Sequence, residues 1–418
     1  MLPVRDEPDL NVSPLSEHSR QLGLNVLLFG TFLMWGGFFL VIPLISVHFV
    51  DGLGWAAASV GLILAVRQFL QQGFTVFGGV LADRFGARGL IVLGLLVRAF
   101  GFGLMAFATS YPILMLSSIL AALGGGLFDA PRNASIVALT TTESRPRYYS
   151  LMGVVGNLGM TIGPLVGALL IRSSFQLVAL VSTACYVLTF FVTLWLLPNV
   201  QTAQAGASGA TAVSNLLLAA KDRRFVVFTA LLIGFWFLWS QLSIGVALVA
   251  VQLAGSRDAV SWVYTLNSVM SIALQIPMMR FLEHRLAPTL TLAIGLGLMA
   301  LGLGAVMFVS SITGLLVCVA VFSFGGLIAS PVQQIVTARM ADPRALGSYF
   351  GVSALALAFG GGLGNYFGGL LYGLGQNGLP WLPWLTALLV GLTSMIGLLM
   401  LRSWFEREPV KPELIRPV

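Results

Sequence analysis

The sequence predicts an all-α integral membrane protein of twelve transmembrane helices, six on either side of a long connection. Three observations carry this expectation. The 418 residues are 57% hydrophobic and only 9% charged, with a mean hydropathy of +0.94, where soluble domains run near a quarter charged. Apolar runs of about 20 residues, enough to cross a hydrocarbon core ~30 Å thick, recur along nearly the whole chain. The basic residues alternate between dense and sparse from one connection to the next.

Residues 1–21 carry Arg5, Asp6, Glu7, Asp9, Glu17 and Arg20 among prolines and serines. This composition reads as a disordered cytosolic tail, with the first span retained as an anchor and not cleaved as a signal. The apolar runs then fall near 24–47, 58–80, 90–108, 112–138, 151–171 and 175–197, and again near 225–252, 260–282, 289–309, 313–338, 348–371 and 384–401. Lipid offers backbone groups no partners, so only helices or closed barrels can span it, and runs this long select helices.

The charge pattern sets the orientation. Of the 22 Lys and Arg, three lie within spans (Arg67, Arg98 and Arg132) and two in odd-numbered connections (Arg172 and Arg257). The other 17 fall in the N-terminal tail, the even-numbered connections and the C-terminal tail. The positive-inside rule then puts both termini of a multi-pass membrane protein in the cytoplasm. That distribution accounts for the net charge of +7 without a nucleic-acid partner. Cys185 and Cys318 each sit within a span, where a free thiol acts as a small hydrophobe, so neither a disulfide framework nor a metal site is expected.

The longest connection, 199–224, is dominated by Ala, Gly, Ser and Thr before Lys221-Asp222-Arg223-Arg224, and reads as a cytosolic linker ending in a basic membrane-surface segment. It separates an N-terminal half, 22–198, from a C-terminal half, 225–403, which is followed by a cytosolic tail, 404–418. The halves are weakly alike at an offset of 200 residues: Gly125-Gly126-Leu127 and Pro131 recur as Gly325-Gly326-Leu327 and Pro331, and Asp83 falls opposite Glu283. Internal repeats of this kind build many transporter folds.

The connection after the second span reads Gly79-Val-Leu-Ala-Asp83-Arg84-Phe-Gly86-Ala-Arg88. A turn whose arginines only set topology would explain Arg84 and Arg88, but not Gly79, Asp83 and Gly86 at these spacings. The segment resembles the G-x-L-x-D-R-x-G-R-[KR] signature of the major facilitator superfamily, with Ala87 and Arg88 in the last two positions. The resemblance implies a cytosolic gate in which Asp83 and Arg88 hold the two halves together when the transporter faces outward. In the fifth span, Gly159-Met-Thr-Ile-Gly163-Pro164-Leu-Val-Gly167-Ala168 is similar to the G-x-x-x-G-P-x-x-G-G pattern of antiporters in that superfamily, with Ala168 in place of the last Gly. Its physical content is close helix approach and a bend at Pro164; ordinary small-residue packing is the alternative. The Arg that many proton-driven members carry in the fourth span is absent here, its place taken by Leu120.

The fourth span contains another charge constellation, Leu127-Phe-Asp129-Ala-Pro131-Arg132-Asn133. Asp129 lies close to mid-bilayer, where a charged carboxylate costs ~2.5–3.5 kcal/mol on insertion scales and needs a cavity or a partner. Arg132, three residues on, shares its helix face. The pair reads either as a structural ion pair or as a protonatable coupling site, and the latter is the expectation adopted. Arg67 and Arg98 are also central, in the second and third spans, and Arg67 opens Arg67-Gln68-Phe-Leu-Gln71-Gln72. They are expected, with Gln68 and Gln71, to line a central substrate cavity, or else to snorkel. Gln241 and Asn267 are the candidates from the second half, with Gln275, Trp236, Trp239 and Trp262 near them in sequence; such residues also serve as interhelical glue or interfacial anchors. His48 and Asp51 at the outer end of the first span read as solvated loop, with a pH-sensing role as the alternative.

Over roughly residues 22–403 the chain resembles the twelve-span drug:proton antiporters of the major facilitator superfamily. The resemblance implies two six-helix halves around a central cavity, forming a secondary transporter of a bacterial inner membrane that needs no cofactor and exports small amphipathic or drug-like molecules by alternating access at the expense of the proton gradient; a monomer is the expected state. Because the midplane is net positive, uptake of a small organic anion by symport or facilitated diffusion is the alternative. One deep acid, no deep His and no Cys pair leave no acid–base constellation for an enzyme.

Overall fold

The computed structural model describes residues 15–141, 144–199, 216–283, 285–342 and 345–405. Most of the N-terminal tail, the linker and the C-terminal tail lie outside these residues. Six helices, α1 (Glu17–Ser46), α2 (Ala57–Phe85), α3 (Ala87–Met105), α4 (Tyr111–Leu139), α5 (Arg145–Ile171) and α6 (Phe175–Leu196), are followed by six more. The second set is α7 (Arg223–Ala254), α8 (Ala259–Glu283), α9 (Pro288–Ala305), α10 (Ile312–Met340), α11 (Leu346–Gln376) and α12 (Leu382–Met400), and a short turn at Arg402–Phe405 closes the described chain. Ten of these have the length and hydropathy to cross a membrane. The other two, α2 and α8, are 29 and 25 residues long and at 1.5 Å per residue also reach across a bilayer. Leu96, Phe100, Leu169, Leu301, Leu389 and Met400 are exposed, as side chains facing lipid must be.

Local chemistry sets the helix ends. Ser174 Oγ accepts from the Leu177 N–H at the start of α6, Ser311 Oγ from Gly314 at α10, and the Asp222 carboxylate from Arg224 and Phe225 at α7. Each satisfies donors that the first helical turn leaves without partners. Between α2 and α3 the turn has contracted to Gly86, at φ 81°, ψ 139°, a backbone region in which a Cβ is strained. The chain thus reverses on one residue where the sequence suggested a longer connection. The seventh span is interrupted: a 3-10 turn at Gln241–Ser243 and Ile244 at φ −125°, ψ −77° separate Arg223–Ser240 from Gly245–Ala254.

By packing, the chain divides into two compact units. One comprises the first six helices with Ser243–Ser268; the other comprises the chain up to Leu242 from Gly209, and everything from Val269 onward. Within the first unit α1 packs on α5 and α6, α3 on α4 and α6, and α2 on α4. Within the second, α7 packs on α11 and α12, and α9 on α10 and α12. Four of these five pairings recur, with the same small residues at the contacts. A methyl on Gly94 would lie 2.8 Å from the Gly124 carbonyl oxygen, and one on Gly295 2.8 Å from that of Gly325. A methyl on Gly101 would meet Ala121 N and Ser117 O, and one on Gly302 would meet Phe322 N and Cys318 O. These equivalences run at 201 residues, one more than the offset read from the sequence. The Gly-rich stretch of α4 therefore aligns one residue out of step with its likeness in α10.

Candidate transport site

In the first unit, Arg67 and Arg98 come together. Arg67 is 5% exposed and Arg98 3%. Arg67 donates from Nη1 to Gln71 Oε1 and from Nη2 to Gln68 Oε1, both at 2.9 Å, so the two glutamines of the α2 motif are oriented by the guanidinium. Arg98, on α3, lies over three rings: Phe38 at 5.2 Å, Tyr186 at 5.2 Å and Phe102 at 5.9 Å from their centroids. Arg67 shares the Phe38 ring at 4.9 Å. Gly125 of α4 admits the cluster, because a Cβ there would collide with Arg98 Nη1 and lie 3.1 Å from Gln71 Cδ. No ion pair to either arginine occurs among the described residues, and Arg67 Nε and Arg98 Nε and Nη1 are buried without a hydrogen-bond partner. Phe38 and Tyr186 were not candidates from the sequence. Their signal, an aromatic on α1 and one on α6, is indistinguishable from core packing until the helices are rotated into register.

Asp129 and Arg132 form an intrahelical pair on α4, Oδ1 to Nη2 3.8 Å, with the Asp129 side chain 26% exposed and that of Arg132 14%. Ten residues separate Asp129 from the end of the helix at Leu139, about 15 Å at the α-helical rise. Arg132 also stands over the Phe128 ring at 5.5 Å and reaches Asn133 Oδ1 at 3.5 Å. The carboxylate is therefore neither fully buried nor freely solvated, and among the described residues its one ion-pair partner is on its own helix.

Of the second-half candidates, Gln241 is 4% exposed and donates from Nε2 to the carbonyls of Phe237 and Gly364 at 3.1 and 3.0 Å. It satisfies backbone at the break in α7 and holds α11. Asn267 is half-buried on α8 and is engaged in interactions of its own. Trp262 is 45% exposed, and Trp239 packs against Gly326, where a methyl would lie 2.8 Å from its ring. A cavity of about 250 Å³ lies within the second unit between α7, α10 and α11, lined by Trp236, Gln333, Gln334, Thr337, Phe350 and Ser353. These side chains are neutral, in contrast to the arginine cluster. Only Trp236 among them was singled out from the sequence; the Gln333-Gln334 pair in an apolar helix was a signal that went unread.

The gate motif is placed at the α2–α3 turn. Gly79, Asp83 and Arg84 fall in α2, but their side chains lie outside the described residues. Gly86 forms the turn, and Arg88 Nη2 donates to the carbonyl of Leu194, in the last turn of α6, where a cation meets the negative end of a helix dipole. Arg20 makes a similar contact with the Leu139 carbonyl of α4 at 3.4 Å. In this conformation Arg88 is thus anchored inside its own unit. The Gly159, Gly163 and Gly167 face of α5 packs directly on the α1 backbone: methyls there would lie 2.7 Å from Phe32 O, 2.6 Å from Gly36 O and 2.5 Å from Leu40 O. The second unit repeats this seam 201 residues on. Gly360, Gly364 and Gly368 of α11 meet Ile233, Phe237 and Gln241 of α7, although Pro164 has no counterpart there.

At the opposite end of the first unit, Arg172 donates from Nε and Nη2 to the two carboxylate oxygens of Asp258 at 3.1 and 2.7 Å. The bidentate bond and the charge of Asp258 hold the guanidinium pKa above its ordinary value. Arg257 reaches Asp51 at 4.0 Å, and Ser46 Oγ donates to the Ser243 carbonyl at 2.6 Å, serving the backbone freed by the break in α7. His48 stacks on Phe175, centroids 4.3 Å apart at 4°, which replaces the solvated loop expected from the sequence with a packed corner.

Twelve membrane-length helices in two repeats, with buried cations and amide-lined space within them, define a solute transporter and not an enzyme. The Major Facilitator Superfamily model matches residues 27–255 and 235–418, and the chain belongs to that family. It is 40% identical over 387 residues, 92% of this chain and 95% of the relative, to the multidrug resistance protein MdtH of Yersinia pestis (strain Pestoides F). The MdtH of Yersinia pseudotuberculosis (serotype O:1b, strain IP 31758) matches with the same identity and coverage. Among solved structures, a POT family transporter in complex with a thioalcohol-conjugated peptide superposes with a TM-score of 0.78 at 16% identity, covering 92% of this chain and 97% of that one. A bacterial homologue of the human lysosomal transporter Spinster, inward-facing and unoccupied, gives 0.73 at 15% identity, covering 94% and 97%. At these identities the structures speak for the fold alone.

Proposed function

We propose that the protein exports small amphipathic, drug-like molecules across a bacterial inner membrane in exchange for protons, working as a monomer by alternating access with both termini in the cytoplasm. The Yersinia relatives named as multidrug resistance proteins support the substrate class. The Asp129–Arg132 pair carries the coupling: a half-exposed carboxylate near the middle of a membrane helix, with a cation 3.8 Å away on the same helix. Asp129 accepts a proton in one state and pairs with Arg132 when it has released it. Arg67, Gln68, Gln71 and Arg98 supply the polar wall for substrate within the first unit. The Gly79–Arg88 turn acts as the cytosolic gate.

The energetics suffice. A 100 mV potential supplies about 2.3 kcal/mol per charge moved, and each pH unit adds about 1.4 kcal/mol per proton. For a neutral substrate and one proton, the two together sustain a gradient of several hundredfold. The buried arginines favour a second reading, uptake of a small organic anion. Counterflow from preloaded proteoliposomes, with and without a pH gradient, separates the two: opposing proton and substrate fluxes are expected, and parallel fluxes would replace export by symport.

A further inference from the structure

We propose that Arg67 and Arg98 form a subsite for a single monoanion of carboxylate size, with Gln68 and Gln71 as its neutral polar rim. The inference rests on the transport reading and deepens it by naming the chemical group that this part of the site accepts. Both guanidiniums are at least nine-tenths buried, and no described carboxylate pairs with either. The polar neighbours of Arg67 are neutral glutamine oxygens, and Arg98 has ring faces and the neutral Tyr186 hydroxyl beside it. A buried cation kept only for packing is expected to have a carboxylate partner or a full set of acceptors. Here Arg98 Nε and Nη1 and Arg67 Nε have none.

The geometry suits one small anion. Each Cζ is about 5 Å from the Phe38 centroid, 4.9 Å for Arg67 and 5.2 Å for Arg98, which bounds their separation at about 10 Å. A carboxylate that accepts charge-assisted bonds of ~2.8 Å from each side is long enough to bridge guanidiniums within that bound. The Phe38, Phe102 and Tyr186 rings cover the guanidiniums with aromatic faces, surroundings in which desolvating a second anion is costly. They also offer flat apolar surface to the part of a ligand that carries the anionic group. No described carboxylate lies within ion-pair distance to compete, so the site discriminates by charge: a neutral isostere would leave the same guanidinium nitrogens unpaired.

The same chemistry could be met by the carboxylate of a transported solute or by an inorganic anion, and the test separates them. Purified protein in detergent at fixed ionic strength is titrated with sodium benzoate, with benzamide as the neutral isostere, and with chloride against a bulky sulfonate background, following thermal unfolding. Benzoate is expected to raise the transition and benzamide to leave it unmoved. Arg98→Gln and Arg67→Gln should each raise the benzoate Kd tenfold or more, with Arg98→Lys retaining part of the affinity. A chloride response of the same kind that is lost in Arg98→Gln assigns the site to an inorganic anion and keeps the arginine pair as an anion subsite. Equal responses to benzoate and benzamide, or a benzoate response unchanged in variants that elute and unfold like wild type, would overturn the proposal in favour of a cation–π packing role. If Arg98→Gln does not fold, Arg67→Gln decides. Because binding is read without flux, its failure is distinct from a failure of the transport reading, which would show as absent vesicle flux beside intact binding.

Discussion

Replacing Gly163 by alanine tests whether the α1–α5 seam is as tight as its geometry requires. The added methyl would stand 2.6 Å from the Gly36 carbonyl oxygen and 3.0 Å from Leu40 N, where ordinary contact begins near 3.4 Å. Both neighbours are backbone, so no side chain can rotate away and the helices must separate by roughly 0.8 Å, the difference between 2.6 and 3.4 Å. Overpacking of this kind costs about 1–3 kcal/mol. Gly153, on the same helix with nothing within 4 Å of its would-be Cβ, is the internal control, and Gly364 on α11, whose methyl would meet Phe237 O at 2.8 Å, is the duplicated position. Thermal unfolding in detergent and initial transport rate in proteoliposomes should both fall for Gly163→Ala and Gly364→Ala and hold for Gly153→Ala. Damage to transport at Gly163 alone, with stability unchanged, would show that the α5 motif has a role in exchange beyond packing. Equal stability of Gly163→Ala and Gly153→Ala would refute the close-approach argument itself.

Gly86→Ala, at φ 81° in the one-residue turn between α2 and α3, should lower stability by about 1–3 kcal/mol, read by thermal unfolding; an unchanged transition would mean that the turn relaxes freely. Arg172→Glu should loosen the corner formed with Asp258 and lower transport modestly, and the reversed pair with Asp258→Arg should restore it, both effects shrinking at high salt because the pair is solvent-exposed. Double reversal without rescue would exclude the ion pair as the cause. A lone cysteine at Ser144 should be labelled by an impermeant maleimide only from the cytosol and one at Ser110 only from the periplasm, and the opposite pattern would invert the orientation.

Much of this fold was legible because membrane solvation leaves few choices: a long apolar run must be a helix, and its ends are marked by Ser, Pro and Asp caps such as Ser174 and Asp222. The Gly86 and Gly163 motifs were readable for the same reason, since a positive φ and a backbone contact each admit almost nothing else. Less accessible was whatever depends on helix rotation. Nothing in the sequence distinguishes Phe38 and Tyr186, which face Arg98, from the many other aromatics of α1 and α6. The repeat was seen one residue out of register, because glycine-rich stretches match at several offsets and only the contacts of Gly94 and Gly295 fix which is physical. Nor could the sequence show that Ser243–Ser268 would pack with the first six helices, since that follows from a break inside an apolar run with no proline to announce it. Gln241 illustrates the ambiguity of amides in membranes: its chemistry suits a ligand, and its partners are backbone carbonyls.

The central claim is that Asp129 couples proton movement to solute movement. Its most direct test is pH-gradient-driven flux of a fluorescent amphipathic solute into proteoliposomes containing wild type, Asp129→Asn or Arg132→Gln. Asp129→Asn is expected to lose gradient-driven accumulation while retaining substrate binding and energy-independent exchange, and Arg132→Gln to retain accumulation with an altered pH dependence. Full gradient-driven accumulation by Asp129→Asn would contradict the account and leave the Asp129–Arg132 contact as a structural ion pair.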